Sequence, residues 1–254
     1  MTSLTMRLLA ACVSAAPLWA QDNAANHAQL PHFRFDLSLG GGRLEHHTEQ
    51  SLLDGEADAG FFRFAFEGIG DGGTIGGGVR LEGWASEDDL FTDAGFVATE
   101  ATSASLFGHV TFRVETKRFV MPCRIGLLLH GYEYEEVATG IGASFGSFGP
   151  MIEVEPEFLL VRDGTFIWSL YGQVGFGILG TSIDIDTVGD DFESTSFTYG
   201  LELGTRIYAG HFVGGLGLVV RGQEVDQSDV KNGNFALGMD NSFAGLLFSV
   251  GLVF

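Results

Sequence analysis

From residue 31 to the end, apolar residues recur along the chain with a period of two. The clearest case is the last nine residues, LLFSVGLVF, where Leu246, Phe248, Val250, Leu252 and Phe254 form one apolar row and the alternate positions are smaller and more mixed. Period two is typical of a β-strand with two unlike faces. Glycine, proline and polar clusters divide the chain into predicted strands at residues 32–46, 59–69, 74–86, 103–116, 119–134, 147–162, 165–181, 195–210, 212–225 and 241–254.

The predicted connections are of two kinds, which alternate along the chain. Tight turns such as Gly70–Gly73 and Thr116–Arg118 follow every second strand, and long polar stretches follow the others. A soluble β-sandwich has no reason to sort its connections in this way, whereas a transmembrane barrel puts short turns on one side and long loops on the other. The sequence therefore predicts an all-β fold, a closed antiparallel up-and-down transmembrane β-barrel of about ten strands, with eight or twelve as the alternatives.

Composition agrees with a barrel that crosses a membrane. The chain has 38 Gly, 23 Phe and 5 Pro, and its mean hydropathy is +0.21. One face of each predicted strand is apolar and free of charge, and aromatic residues gather towards both strand ends, as membrane interfaces favour. After the N-terminal region, no segment has the ~18 uninterrupted apolar residues of a membrane helix, so a membrane-spanning sheet has to close on itself.

The first residues are predicted to direct export. Arg7 precedes an apolar stretch, and Ala20 is a small residue before Gln21, so residues 1–20 are predicted to be a removed signal peptide. Residues 21–30 are predicted to be a short periplasmic segment, and 31–254 the barrel. A lipoprotein-type cleavage before Cys12 is the alternative, although the apolar stretch ahead of it is short. Without the signal peptide, Cys123 is the one remaining cysteine, which leaves no intrachain disulfide.

The ending of the chain resembles the closing strand of bacterial outer-membrane β-barrels, and the chain from about residue 30 resembles these proteins as a whole. This resemblance implies an assembly signal read by the barrel-insertion machinery, formed by Phe248, Val250, Leu252 and Phe254. It also implies outer-membrane lipid as surroundings, both termini in the periplasm and the long loops outside the cell. Arg206-Ile207-Tyr208 is loosely similar to pore-forming barrels of the major-outer-membrane-protein type, which implies passive diffusion of small solutes.

The strand face opposite the apolar one carries charge and is predicted to face the lumen. Arginine forks pair well with carboxylates in a confined polar interior. An Arg–Glu network is therefore expected, either as a narrow charged conduit or as a salt-bridge scaffold that holds the barrel together. Many inward positions are glycine, which would leave a water path or allow the tight curvature of a small barrel, and the small pore is the favoured interpretation. The predicted lumen network comprises Arg34, Asp36, Arg63, Glu67, Arg80, Glu82, Arg113, Arg124, Glu153, Glu155, Glu157, Glu202, Arg206 and Arg221.

Two interpretations are open for the row Glu153, Glu155 and Glu157. About 7 Å apart on one strand face, these carboxylates would repel each other unless arginines such as Arg113 and Arg124 neutralise them. The row would then act as a cation filter or as half of the scaffold.

The charge balance limits the partners. With 13 Lys and Arg against 33 Asp and Glu, the net charge is −20, and the surplus acid falls in the predicted loops. Acidic loops disfavour nucleic acid and concentrate cations, so divalent cations are candidate partners there. Residues 184–190 partly resemble a calcium loop, but Val188 stands where an oxygen ligand is needed. His46 and His47, beside Glu45 and Glu49, are a second metal candidate. A solvated loop is the favoured interpretation of both, and no metal site or cofactor is predicted.

The sequence favours a small porin-like channel for solutes or ions. The alternative is a non-conducting structural or adhesive barrel that acts through its acidic loops. An enzyme ranks lower, because the sequence has no Asp-x-His pair like that of the barrel protease family. The residues that an outer-membrane hydrolase would need are Ser103 or Ser105 with His109 or His130, or Asp88 and Asp89 with a histidine.

Overall fold

The structure is a computed structural model, and it describes residues 32–48, 55–70, 72–86, 99–136, 142–163, 165–186 and 188–254. The predicted signal peptide, most of the predicted periplasmic segment, and Glu49, Asp88 and Asp89 lie outside these residues. None of the described residues forms a helix long and apolar enough to cross a membrane.

The described residues form β-strands joined by turns and loops. Eleven strand segments follow one another along the chain. Their bounds are Phe33–Thr48 (β1), Gly55–Ile69 (β2), Ile75–Ser86 (β3), Thr99–Glu115 (β4), Phe119–Glu136 (β5), Gly142–Val154 (β6), Glu157–Asp163 (β7), Phe166–Ile185 (β8), Val188–Ala209 (β9), Phe212–Val225 (β10) and Met239–Val253 (β11).

The sheet closes into a barrel. Neighbouring strands pair antiparallel in the order β4-β3-β2-β1-β11-β10-β9-β8-β6-β5, and a further pairing between β4 and β5 joins the two ends. The first and last strands pair along their whole length, from Arg34 opposite Val253 to Thr48 opposite Met239. β6 and β7 are two parts of one barrel strand, interrupted at Glu155-Pro156 because proline cannot donate to the sheet. The predicted closed, up-and-down barrel of about ten strands is therefore confirmed.

One prediction about the connections is wrong. The predicted long loop after residue 181 is instead a continuation of two strands, since β8 runs to Ile185 and β9 begins at Val188. Ile183 and Ile185 continue the period of two here. The acidic residues between and after them made this strand resemble a polar loop in the sequence. The other connections at this end span residues 49–54, 87–98, 137–141 and 226–238, and we call it the loop end. The opposite end, with connections 70–74, 116–118, 164–165 and 210–211, is the turn end.

The outer face of the barrel is apolar. Large hydrophobic side chains on alternate positions of every strand are exposed, for example Leu37, Phe64, Leu106, Leu203 and Val250. Singly exposed apolar residues are ordinary on soluble proteins, but a continuous apolar wall around a closed barrel is what lipid requires. The wall faces the hydrocarbon of a membrane.

The inward glycines do not leave open space, which corrects the inference that they favour a pore. A Cβ added at Gly40 or at Gly42 would lie 2.1 Å from a carbonyl oxygen of the neighbouring strand, and one at Gly126 would lie 2.0 Å from another. One at Gly204 or Gly217 would lie 2.8 Å from the side chain of Tyr171. These positions are glycine because neighbouring strands and interior side chains approach them closely, as the tight curvature of a small barrel demands.

Candidate functional site

Strand alternation aims a set of charged side chains into the middle of the lumen. Arg63 on β2, Arg80 on β3 and Glu202 on β9 are buried, although each lies between exposed apolar neighbours in sequence. Six arginines and seven carboxylates form one continuous network of ion pairs. These residues are Arg34, Arg63, Arg80, Arg124, Arg206, Arg221, Asp36, Glu67, Glu82, Glu153, Glu155, Glu157 and Glu202.

Arg124 on β5 lies at the centre of this network. Its Nη2 is 2.7 Å from Oε2 of Glu67, and its Nη1 is 2.8 Å from Oε1 of Glu153 and 2.8 Å from Oε2 of Glu155. One guanidinium therefore joins three carboxylates on two strands. The planar fork of arginine makes this possible, whereas a lysine would offer one point charge.

The row of glutamates on β6 and β7 is neutralised from several sides. Glu155 accepts from Arg206 as well as Arg124, and the guanidinium of Arg34 is 3.6 Å away. Glu153 accepts from Arg80 at 2.5 Å. Glu153, Glu155 and Glu157 lie on alternate positions and all three are buried on the inner face.

Glu157 lies closest to the turn end of this row. It accepts hydrogen bonds from the hydroxyls of Ser169 and of Tyr208, the latter at 3.1 Å, and Arg206 lies 3.6 Å away. Arg113 lies towards the turn end from this row. Its Nη2 is 3.6 Å from Glu115, and its Nε donates to the carbonyl oxygen of Gly73 at 3.1 Å.

The part of the network nearer the loop end converges on Glu82 and Glu202. Glu82 accepts from Arg63 at 3.1 Å and from Arg221 at 2.9 Å, and Arg80 is 3.4 Å away. Glu202 accepts from Nη2 of Arg63 at 2.7 Å, and Nη2 of Arg221 is 3.4 Å away. Each of these carboxylates therefore has more than one cationic partner, which offsets the large cost of removing charge from water.

Aromatic side chains fill the space around the guanidinium groups. The Cζ of Arg206 lies 3.6 Å from the ring centre of Tyr171, whose hydroxyl donates to Glu202 at 2.6 Å. Arg63 and Arg80 lie 5.5 Å and 5.3 Å from the ring centres of Phe61 and Phe107. Phe61 belongs to the buried apolar residues at the loop end, so its cation–π contact with Arg63 connects the charged network to them.

The space left beside the network is small. Three cavities along it have volumes of about 50, 40 and 50 Å³. Each has room for only one or two waters. The residues that line the first two cavities include buried polar atoms without a hydrogen-bond partner. In the first cavity these are Oδ1 of Asp36 and both ring nitrogens of His109. In the second they are Nε2 of His130 and Nδ2 of Asn241. We expect waters there, because buried polar groups are rarely left without a partner.

Apolar residues fill the lumen on both sides of the network. The larger cluster, which was not predicted from the sequence, lies at the loop end and includes Phe61, Trp84, Tyr132, Phe145 and Phe243. The sequence does indicate that these residues face inward, because Phe61 is two residues from Arg63 and Trp84 is two residues from Glu82, and residues two apart share a strand face. A smaller cluster at the turn end comprises Val120, Leu159, Ile167, Tyr208, Val213 and Val253.

The connection between β10 and β11 contributes to the loop-end cluster. Ala236 and Met239 are buried in this cluster. The connection is held by hydrogen bonds between Ser228 and Ala236, and it turns at Asn232 and Gly233, which have positive φ. It thereby adds to the packing at the mouth of the barrel.

The serine and histidine candidates for catalysis lie inside the barrel. Ser105 and His130 are direct cross-strand partners on β4 and β5, but the hydroxyl of Ser105 bonds to the carbonyl oxygen of Glu82 at 3.4 Å. Ser103 is buried opposite Tyr132, and His109 is 3.6 Å from Glu67. A serine nucleophile needs a hydrogen bond to its base. Here the hydroxyl of Ser105 bonds to a backbone carbonyl oxygen, and His109 lies beside a carboxylate.

The metal candidates are split in space. Nδ1 of His46 is 2.9 Å from the hydroxyl of Tyr132 inside the lumen, whereas Glu45 and His47 point to the outer face. No three His, Cys, Asp or Glu residues within the described ranges converge as a metal site would require. Of the calcium-like segment 184–190, the side chains of residues 187–190 lie outside the described residues.

The predicted assembly signal lies on the closing strand. Phe248, Val250, Leu252 and Phe254 point outward and are exposed. The carbonyl of Phe254 accepts from the backbone nitrogens of His32 and Phe33, at 2.8 and 3.0 Å, so the last residue is tied to the first strand.

Comparison with solved structures agrees with this architecture. The chain is similar to the outer-membrane protease OmpT of Escherichia coli, with 13% identity, a TM-score of 0.52 and coverage of 87% of this chain and 96% of OmpT. Neisserial surface protein A (10% identity, TM-score 0.38, coverage 89% and 100%) and the Pseudomonas putida toluene transporter TodX (9%, 0.33, 89% and 90%) are more distant. No protein-family model and no curated protein sequence matches the chain. The chain has the fold of a small bacterial outer-membrane β-barrel.

Proposed function

We propose that this protein is a non-conducting outer-membrane barrel whose function lies at its acidic loop end. The observation that carries the proposal is the filled lumen. The charged network lies between two apolar clusters, and the cavities beside it are about 50 Å³ or smaller. A hydrated solute needs a continuous path, and each of these cavities has room for only one or two waters. The porin-like channel favoured by the sequence is therefore the second choice.

The charge at the loop end supports a role at the surface. Exposed acidic residues project there from β1, β2, β5, β8 and β9, and from the connection after β10, for example Glu45, Glu56, Glu133, Asp184 and Asp229. Carboxylates so placed raise the local concentration of cations, so cationic ligands or divalent ions are the partners that we propose. We place the loop end outside the cell, the termini in the periplasm, and the insertion machinery at the closing strand. We propose no catalytic step.

Solute flux into proteoliposomes tests the proposal. Vesicles that contain the refolded protein should swell in isosmotic arabinose at the same rate as vesicles without protein. Vesicles with a general porin are the positive control. Swelling above the protein-free rate, in preparations whose protein shows the heat-dependent gel shift of a folded barrel, would contradict the proposal and restore the channel.

A further inference from the structure

A groove of about 610 Å³ lies on the outer wall near the loop end, where β3, β4, β5, β6, β8 and β9 are neighbours. Its turn-side border is a row of apolar cross-strand partners, and its floor consists of small residues. Three of these lie two positions nearer the loop end on β4, β5 and β6, and the fourth, on β8, is the direct cross-strand partner of Phe148. The border is formed by Leu81, Leu106, Leu129 and Phe148, and the floor by Ala104, Gly131, Gly146 and Gly180.

The groove exists because side chains are absent from its floor. A Cβ added at Gly146 would meet no heavy atom within 4 Å, and those at Gly131 and Gly180 would find their nearest atoms at 3.9 and 4.0 Å. The inward glycines differ, since a Cβ there would collide with a neighbouring strand. Glycine is therefore not required by packing at these outward positions, and leaves open space.

The wall behind the groove is held by hydrogen bonds. On the inner face of the same strands, Ser147 and Thr181 bond at 2.9 Å, Thr181 donates to Ser196 at 2.7 Å, and Gln223 donates to Ser147 at 2.8 Å. All four side chains are buried. The floor cannot collapse inward without breaking these bonds, so the groove is preformed.

The size and lining fit a small-molecule site. A volume of about 610 Å³ is more than ten times that of the lumen cavities, and it falls in the range typical of ligand pockets. The lining is mostly apolar with a few polar groups, as such pockets usually are. Because the apolar border belongs to the lipid-facing wall, the surroundings that cover the groove are the membrane itself.

The loop-side rim indicates which lipid fits. Ser182 and Glu193 continue the row of Gly146 on β8 and β9, and the loop-side rim is the next outward row, which carries the exposed acids Glu133 and Asp184. Carboxylates repel phosphate and attract ammonium groups. We propose that the groove is a specific site for one acyl chain of an amine-bearing membrane lipid, with the ammonium group at the acidic rim.

Native mass spectrometry of the refolded protein in detergent tests the site. The probes are phosphatidylethanolamine and phosphatidylglycerol with identical chains, added in equal amounts. We expect the ethanolamine lipid to be retained in preference to the glycerol lipid. Gly146→Leu, which fills the groove, should weaken retention about tenfold, a loss equivalent to about 1.4 kcal/mol. Glu193→Gln should reduce the preference between the lipids and leave the fold unchanged.

Gly108→Leu is the matched control. Gly108 also points outward, a Cβ there meets nothing within 4 Å, and it does not line the groove. The proposal is overturned if Gly108→Leu weakens lipid retention as much as Gly146→Leu, if neither changes it, or if the glycerol lipid is preferred. If Gly146→Leu lacks the gel shift of a folded barrel, Gly180→Leu takes its place, with the same outcomes.

Discussion

Replacing Arg124 by methionine should destabilise the barrel more than any change to a surface charge. Methionine keeps much of the length and apolar contact of the arginine but removes the charge shared by Glu67, Glu153 and Glu155. Removing one partner of a buried pair leaves charge in a medium that solvates it poorly, at a cost of about 3–5 kcal/mol.

The remaining contacts indicate that the loss corresponds to one broken pair and not three. In the variant, Glu153 still has Arg80 at 2.5 Å, and Glu155 still has Arg206. Glu67 keeps only neutral Thr111 and, at 3.6 Å, His109. We therefore expect a loss of about 3–5 kcal/mol in the free energy of unfolding, and about 1 kcal/mol or more of recovery when Glu67→Gln is added.

Urea unfolding in detergent, followed by the fluorescence of buried Trp84, measures this free energy. The matched control is Arg43→Met, since Arg43 and Glu56 form an ion pair with side chains more than half exposed. Exposed pairs contribute about 0–1 kcal/mol. If Arg124→Met costs no more than Arg43→Met, or if Glu67→Gln gives no recovery, the network does not hold the barrel together as described.

Three further changes test other parts of the structure. Gly40→Ala should lower the free energy of unfolding by about 1–3 kcal/mol, because its Cβ would lie 2.1 Å from a carbonyl oxygen. Gly108→Ala should lower it by less than about 1 kcal/mol, and equal effects of the two changes in urea unfolding would contradict the explanation given for the inward glycines. Tyr171→Phe should cost about 1.5–3 kcal/mol by removing the hydrogen bond to Glu202, and an unchanged midpoint would argue that this bond contributes nothing. Phe254→Ser should reduce the amount of folded, heat-shifted protein in cell membranes severalfold. It should change the free energy of unfolding of the refolded protein by less than about 1 kcal/mol, because the side chain is 64% exposed. Normal membrane levels of the variant would contradict a role of Phe254 in assembly.

The fold was predictable because lipid imposes a strict pattern on a barrel. An uncharged outward row next to an inward row that holds Arg63, Arg80 and Glu82 can be accommodated only when one face meets lipid and the other is enclosed. The period of two located most strands within a few residues. It failed at residues 182–194, where acids such as Asp184 and Glu193 occupy outward positions of strands that extend beyond the apolar wall.

Apart from the contact of Arg124 with the glutamate row, the pairing inside the lumen was not predictable from the sequence. Strand alternation indicated that arginines and carboxylates face inward, but which groups meet depends on strand register, and Arg63 and Glu202 are far apart in the chain. The packing of the lumen was also hidden, because inward Phe61, Trp84 and Phe243 have the same parity as the charged residues and were not followed to the loop end. The glycines suggested open space only because the approach of neighbouring strands could not be seen.

Single-channel conductance in a planar bilayer tests the central claim most directly. The refolded protein, shown to be folded by its heat-dependent gel shift, is added to a bilayer with a salt gradient across it. It should insert and give no steady current steps, because the network and the apolar clusters fill the lumen. Regular steps from the unmodified protein would contradict the sealed lumen, and a cation preference in those steps would assign the glutamate row at positions 153, 155 and 157 as a filter.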